Sequence, residues 1–322
     1  MISLPLVSII IVNYNGKKYL EKCLDSLKKI THSNTEIILV DNNSTDDSIE
    51  FVKNEYPNVI IIKLDKNYGF AEPNNIGAKN SQGEYLLFLN NDTEATPNFI
   101  TELLSNTEKD PKIAICQSLL LKPNGDIDSA GDFVTEQGRA YSSKNLQNKP
   151  TPILSARGAA MIIKKDKFNE LGGFDSDYVL SFEDVEIGWK AWILGYQVKV
   201  IPSSIVYHHG GSTIKQLGPL VTFHGLKNLL SLVTTHYETS LVGWKIIQTF
   251  GYLIGRFLGI ISSNEKNSTN FTIDKKNVMK AIFWYFRNFR MIWYKHKALN
   301  TKRIKSTKDL EKIGVITSKK SN

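Results

Sequence analysis

Residues 85–93, Tyr85-Leu86-Leu87-Phe88-Leu89-Asn90-Asn91-Asp92-Thr93, decide how the rest of the chain is read. A short apolar run with no polar alternation suits a strand buried on both faces, the pattern of a parallel sheet flanked by helices. It runs straight into amide, carboxylate and hydroxyl side chains. Open α/β sheets bind ligands beyond the carboxyl ends of their strands, where a carboxylate such as Asp92 can hold a divalent cation and, through it, a diphosphate. Taken alone, the same four residues would also serve as a turn into the helix expected after Pro97.

The segments on either side repeat the pattern. Val7–Val12 is rich in β-branched residues and breaks into Asn13-Tyr14-Asn15-Gly16, and Leu20, Leu24 and Leu27 then recur at helical spacing. Glu36–Val40 ends in Asp41-Asn42-Asn43-Ser44-Thr45-Asp46-Asp47, with Ser44 or Thr45 expected to cap the next helix. Val59–Lys63 is followed by Asn67-Tyr68-Gly69-Phe70-Ala71 and a short helix to Ala78. The order β-α-β-α-β-α-β, closed by Tyr85–Leu89, implies a parallel sheet with right-handed crossovers. Four polar clusters after successive strands would then gather on one crevice. There Asp41 could accept the N–H of a pyrimidine base and Tyr14 could lie on the base face.

Farther on, a helix is expected over Pro97–Thr107, strands over Ile113–Leu121 and Ala159–Lys164, a helix over Val185–Leu194, and strands over Gln197–Ile201 and Ile205–His208. Asp128–Thr151 is polar and without period, as a mobile loop over a site would be. The α/β pattern ends near Ile214. Beyond it, Phe223–Tyr237 and Leu241–Ile261 are apolar and helical, but Lys245, Gln248 and Arg256 make the latter a poor membrane span. Val278–Lys297 interleaves Phe283, Trp284, Tyr285, Phe286, Phe289, Trp293 and Tyr294 with Lys280, Arg287, Arg290, Lys295 and Lys297. Rings with cations on one helix fit the interface of an anionic membrane. Packing on the α/β body, or on a second copy of the chain as a homodimer, is the alternative.

Forty Lys and Arg against 32 Asp and Glu give a net charge of +8, concentrated after Lys275. An anionic partner for the tail is implied, and with no nucleic-acid-binding motif present the membrane surface is preferred. Hydrophobic residues make up 41% of the chain, enough for a sizeable core. Cys23 and Cys116 sit in apolar patterns and are expected to be buried thiols. Met1–Pro5 has no basic leader and runs into the first strand, so a reducing, cytoplasmic setting is expected. No Gly-x-Gly-x-x-Gly, Walker or Gly-x-Ser-x-Gly loop occurs.

Taken together, VSIIIVNYNG (Val7–Gly16), ILVDNNSTDDS (Ile38–Ser48), NYGFA (Asn67–Ala71) with Asn74–Gly77, and LNNDT (Leu89–Thr93) resemble the family 2 glycosyltransferases of GT-A fold. Ala156–Met161 with Arg157, Gly172–Asp175, Glu183–Glu186 and His208–Ser212 extend the resemblance over about residues 5–215, nearest the rhamnosyltransferase-like branch. It implies an α/β, Rossmann-like domain with a mainly parallel sheet, a nucleoside-diphosphate sugar donor, a glycan or lipid-linked acceptor, a divalent metal (Mg2+ or Mn2+) and an inverting transfer. By position, Asn13, Tyr14, Asn15, Asp41, Asn67, Gly69, Phe70, Asn75, Asn91 and Arg157 would bind the nucleotide sugar. Asp92 and His208 would hold the metal, although Asn90 replaces the first Asp of the family's Asp-x-Asp motif and removes one carboxylate. Asp184 would be the base, kept ionised by the helix it precedes, with Glu183 as the second choice.

The expected organisation is a glycosyltransferase domain over 1–215, an aromatic and basic helical region over 216–300, and a flexible basic tail over 301–322. The enzyme would sit peripherally on the inner face of the cell membrane and act in polysaccharide synthesis. A non-catalytic scaffold of an assembly complex and a sugar-phosphate nucleotidyltransferase are the competing functions. The latter lacks its Gly-rich basic loop at Asn13–Gly16.

Overall fold

The computed structural model describes residues 4–210, 219–258 and 275–317. Its first half alternates strand and helix: β1 (Val7–Asn13), α1 (Lys17–Leu27), β2 (Thr35–Asp41), α2 (Ser48–Glu55), β3 (Ile60–Lys63), α3 (Ala71–Asn80) and β4 (Tyr85–Asn90). Side chains on a strand point alternately to its two faces. Ile9 and Ile11 therefore pack with Leu20, Cys23 and Leu24 of α1 and Val52 of α2, while Ile10 packs with Ala71 and Ala78 of α3. Each fully buried Ile or Leu contributes roughly 1.5–3 kcal/mol, so a one-residue slip in register would be strongly disfavoured. β1 pairs in parallel with β2 and β4, and β2 with β3, aligning Asn13 with Asp41 and Val12 with Asn90 at one sheet edge.

The second half contributes β5 (Thr93–Ala95), α4 (Phe99–Thr107), β6 (Ile113–Leu121), β7 (Ile127–Ser129), β8 (Asp132–Thr135), β9 (Ala140–Ser142), β10 (Thr151–Pro152), β11 (Ala160–Lys164), α5 (Lys165–Glu170), α6 (Glu183–Ile193) and β12 (Gln197–His208). The ten-stranded sheet runs β10-β12-β6-β11-β4-β1-β2-β3, with β5 on β12 and β7 on β6. It is mixed, because β11 lies antiparallel between β4 and β6. The two strands expected over Gln197–His208 are one strand, irregular in register between Ile201 and Ile205. The polar stretch after Asp128 is not a plain loop: β8 and β9 form a hairpin in a second, three-stranded sheet. Neither Ser44 nor Thr45 caps α2, which starts after Asp47 without a side-chain cap; Ser44 bonds Asn13 instead.

Helices α7 (Pro219–His236), α8 (Thr239–Phe257) and α9 (Lys275–Thr301) follow. Leu226, Leu230, Leu253, Val278, Tyr285 and Ile292 tie the three together. Leu229, Leu232 and Val233 of α7, with Tyr237 just after it, enter the core of the α/β body beside Trp189. The tail expected to be flexible is folded through Thr317. Ser306 and Asp309 close a capping box on α10 (Thr307–Ile313), Gly314 ends it at φ 85°, and β13 (Ile316–Thr317) pairs in parallel with β8. A box and a glycine stop outweigh the basic composition that had suggested disorder. The remaining tail residues, 318–322, the last three of the Leu241–Ile261 stretch, and Gly211 and Ser212 lie outside the described residues.

Candidate active site

At the carboxyl edge of the sheet a cleft of about 430 Å³ opens between the ends of β1 and β4 and the first turn of α6. Tyr14, Asn67, Gly69, Phe70, Asn91 and Asp92 reach it from the first half of the chain. Arg157, Glu183, Asp184 and His208 reach it from the second. Asn42, Asp132 and the Ser181–Phe182 pair line it as well, none of them singled out by sequence reasoning.

The first wall is a web of neutral amides. Asn91 Nδ2 donates to Asn13 Oδ1 at 2.9 Å, and Asn13 Nδ2 donates to Ser48 Oγ at 2.9 Å and Ser44 Oγ at 3.1 Å. Asn42, buried, donates to Asn67 Oδ1 at 2.8 Å and Gly69 O at 2.7 Å and accepts from the Tyr68 N–H at 2.8 Å. It thereby fixes the 67–70 loop. Gly69 has φ 85°, and a Cβ there would stand 2.0 Å from Val179 O, so only glycine fits.

The second wall is a chain of alternating charge. His208 Nε2 lies 3.3 Å from Asp92 Oδ1, and its Nδ1 lies 2.9 Å from Asp128 Oδ2. Arg157 Nη1 stands 3.5 Å from the same Asp128 oxygen, while its Nε donates to both Asp132 oxygens at 3.2 Å. Burial pulls the His208 pKa down, but its two carboxylate partners outweigh this and raise it to about 9. Burial likewise opposes the charge of Asp128, yet His208 and Arg157 hold its carboxyl below the usual range.

Asp184 sits in the first turn of α6, where its Oδ1 accepts the Val185 N–H at 2.7 Å. The N-cap position belongs to Phe182, so Asp184 is not a helix cap. The helix was expected to keep it fully ionised. Burial first, then repulsion from Asp132, instead raise its pKa to about 6, against the pull of Arg157 and the Val185 and Gly158 N–H groups. Glu183 beside it is buried, one of its oxygens has no partner among the described residues, and burial pushes its pKa well above the carboxylate range. Ser181 and Phe182, just before this pair, both have positive φ, 69° and 70°. Such backbone costs about 1–3 kcal/mol per residue and persists only where neighbours enforce it.

Several residues expected to touch the nucleotide sugar lie behind the cleft. Asn13 is fully buried and spends its amide on Asn91, Ser44 and Ser48. Asn15, at φ 49°, accepts the Thr45 N–H at 2.8 Å and shapes the 43–47 turn. Asp41 lies in a neighbouring hollow with Ser44, Asp46 and Lys63, its Oδ1 3.5 Å from Asn13 Nδ2. Asn75 faces another way altogether. Its amide donates to Phe174 O at 2.8 Å and accepts from Phe174 N at 3.0 Å, pinning the Gly172–Asp175 turn. Arg157 lines the cleft with its guanidinium already committed to two carboxylates.

Among the described residues no three His, Cys, Asp or Glu side chains cluster to enclose a metal ion. Asp92 and His208, with the Asn90 amide 3.4 Å from His208 Nε2, present one carboxylate, one imidazole and one amide on the same side of the cleft. That partial set fits a divalent cation that displaces the His208 Nε2 proton on binding and takes its other ligands from phosphate oxygens and water.

Comparisons with known proteins bear on the fold and the family. The O-antigen biosynthesis protein RfbC of Myxococcus xanthus is 32% identical over 221 residues, a match covering 64% of this chain but 17% of that protein. The N-acetylglucosaminyl-diphospho-decaprenol L-rhamnosyltransferase of Mycobacterium tuberculosis is 24% identical over 235 residues, covering 64% of this chain and 76% of that one. Among solved structures, that of GalNAc-T7 with UDP, GalNAc and Mn2+ superposes with a TM-score of 0.62 at 18% identity, over 93% of this chain and 59% of that one. The fold is GT-A. The family described as Glycosyl transferase family 2 matches residues 8–172, just over half of the sequence, and the chain belongs to it.

Proposed function

We propose that this glycosyltransferase moves L-rhamnose from dTDP-L-rhamnose, with inversion, to a hydroxyl of a lipid-linked glycan during cell-surface polysaccharide synthesis. The observation that carries the reading is the presence of the Asp92–His208 pair and Asp184 in one cleft. The sugar and the lipid carrier rest on the name of the Mycobacterium tuberculosis relative, and the polysaccharide setting on that of the Myxococcus xanthus one. Asp184 takes the proton of the acceptor hydroxyl as that oxygen bonds to the anomeric carbon. The bond from this carbon to the diphosphate oxygen breaks on the opposite face. A base works best with a pKa near the operating pH, which the raised value of Asp184 supports. Glu183 ranks second, since burial disfavours its charged form more strongly. Tyr14 and the 67–70 loop accommodate the nucleoside, with Asn42 bracing that loop and Asn13 and Asn15 holding Asn91 and the 43–47 turn beside it. Asp92 and His208 would hold a divalent cation, Mg2+ or Mn2+, which when bound supplies positive charge to the departing diphosphate.

A peripheral seat on the inner face of the membrane fits the C-terminal helices. Trp244 and Ile247 of α8 and Met279, Phe283 and Phe286 of α9 are exposed, as are Lys280, Arg287 and Arg290 beside them. Lys295, counted on the same helix, turns inward to Asp175 and Asp177. No helix among the described residues is long and apolar enough to cross a membrane. Thermal-shift screening of nucleotide sugars with Mn2+ tests the donor, and dTDP-L-rhamnose is expected to stabilise most. NMR of the product is expected to show the opposite anomer to the donor; a retained anomer sinks the mechanism. Absence of nucleoside-diphosphate release from every donor tried favours a scaffold. Co-sedimentation with phosphatidylglycerol vesicles, lost on Phe283→Ser/Phe286→Ser, tests the membrane face.

A further inference from the structure

The strained Ser181–Phe182 pair needs an external restraint, and α7 supplies it. Asn228 Nδ2 donates to Leu180 O at 2.9 Å and to Ser181 O at 2.6 Å. Lys227 Nζ donates to Asp177 O at 2.5 Å and to Asn228 Oδ1 at 2.7 Å, and lies 4.5 Å from the centre of the Trp284 ring of α9. Both residues are buried, at 3% and 1% exposure. Polar side chains there cost stability unless bonded, and apolar ones would pack an amphipathic helix more simply. On the far side of the same segment, the Phe70 N–H donates to Val179 O at 2.8 Å. The Asp177–Phe182 chain is thus clamped between the 67–70 loop and α7, and it leads directly into Glu183-Asp184.

We propose that Lys227 and Asn228 are positioning residues for the transfer step: by holding the Asp177–Ser181 carbonyls they fix the start of α6 and aim Asp184 at the acceptor hydroxyl. The C-terminal helices are then part of the catalytic apparatus, and Trp284 links it to the helix whose outer face carries the exposed rings. This rests on Asp184 being the base.

The test uses the full chain and whichever of dTDP-L-rhamnose, UDP-GlcNAc or GDP-mannose the parent turns over, read as nucleoside-diphosphate release. Asn228→Ala and Lys227→Met are expected to lower kcat about 50-fold and about 10-fold. Donor Kd by calorimetry should stay within about 3-fold, since neither Lys227 nor Asn228 lines the cleft in which the donor sits. A kcat within 2-fold of the parent in a folded variant overturns the proposal. So does a parallel fall in kcat, donor affinity and melting temperature, or a failure of both variants to fold, because each reports general structural support. Asp184→Asn run alongside separates the two claims. If it stays active, the assignment of the base fails; if it is inactive while Asn228→Ala is not, only the positioning role fails.

Discussion

The two walls of the cleft are built by different physics. Along the ends of β1, β2 and β4, the parallel register sets Asn13 against Asp41 and Val12 against Asn90, and neutral amides tie the turns to one another. Opposite, Asp92, His208, Asp128, Arg157 and Asp132 alternate in charge, drawn from five separate places in the chain. The first wall takes its form from the local chain path. The second exists only because β7, β8 and β12, with the Arg157 turn before β11, meet in the folded protein. A division of labour follows: damage to the amide wall should fall on donor affinity, and damage to the charged wall on the rate of transfer.

Asp184→Asn probes that division most severely. It keeps the shape and removes the proton acceptor, so kcat should fall about 10³-fold, within the range for losing a general base. Donor Kd should not move. If donor affinity collapses as well, the walls do not divide the work. Next comes Asp92→Asn, at the seam of the two walls. Replacing the carboxylate beside His208 should cost about 10²-fold in kcat/KM, and added Mn2+ should recover part of the loss by mass action. Equal loss at every Mn2+ concentration would count against a cation on Asp92.

pH gives a gentler probe. Asp184 is the group whose carboxyl burial and Asp132 raise to about 6 while Arg157 opposes them. A base acts when deprotonated, so kcat should be on a plateau above this value and fall about tenfold per pH unit below it. Asp132→Asn removes the repulsion and should carry the acid limb to lower pH. The amide wall holds no comparable titrating group in contact with the cleft, so donor Kd should be nearly flat over the same interval. A donor Kd that follows the limb would mean that Asp184 binds the donor as well.

The same contrast explains what the sequence disclosed. Strands buried on both faces are continuous apolar runs, and each polar cluster follows its strand directly, so Asn67, Gly69, Phe70, Asn91 and Asp92 were found from local pattern. His208 ended a strand and Asp184 began a helix, and these too were legible. Asp128 and Asp132 were not, since strands of three and four residues are too short to show alternation. Lys227 and Asn228 sit in an apolar helix with no local mark of their role. The folded tail did carry a signal, Ser306 and Asp309 at capping-box spacing and Gly314 after the helix, which its basic composition masked. Asn13, Asn15, Asp41 and Asn75 show the converse limit: position after a strand end brings a side chain to the crevice edge, but whether it faces the ligand or a neighbouring turn depends on rotamer and partners.

Asn75 gives the smallest expected effect and the sharpest control. Its amide joins α3, behind the first wall, to Phe174, at the base of the segment that leads to Asp184, through bonds of 2.8 and 3.0 Å. Asn75→Ala leaves a backbone N–H and a carbonyl without those partners at a partly exposed site, a loss of about 1–2 kcal/mol. For a chain of 322 residues that lowers Tm by about 1.5–3 °C, at about 1.5 °C per kcal/mol. Because Asn228 and Lys227 still clamp the chain beyond Asp177, kcat and donor Kd should both stay within about 2-fold. A large fall in kcat here would show that Asp184 is held in place through Phe174 rather than through α7, since the two anchors grip the same segment from opposite ends.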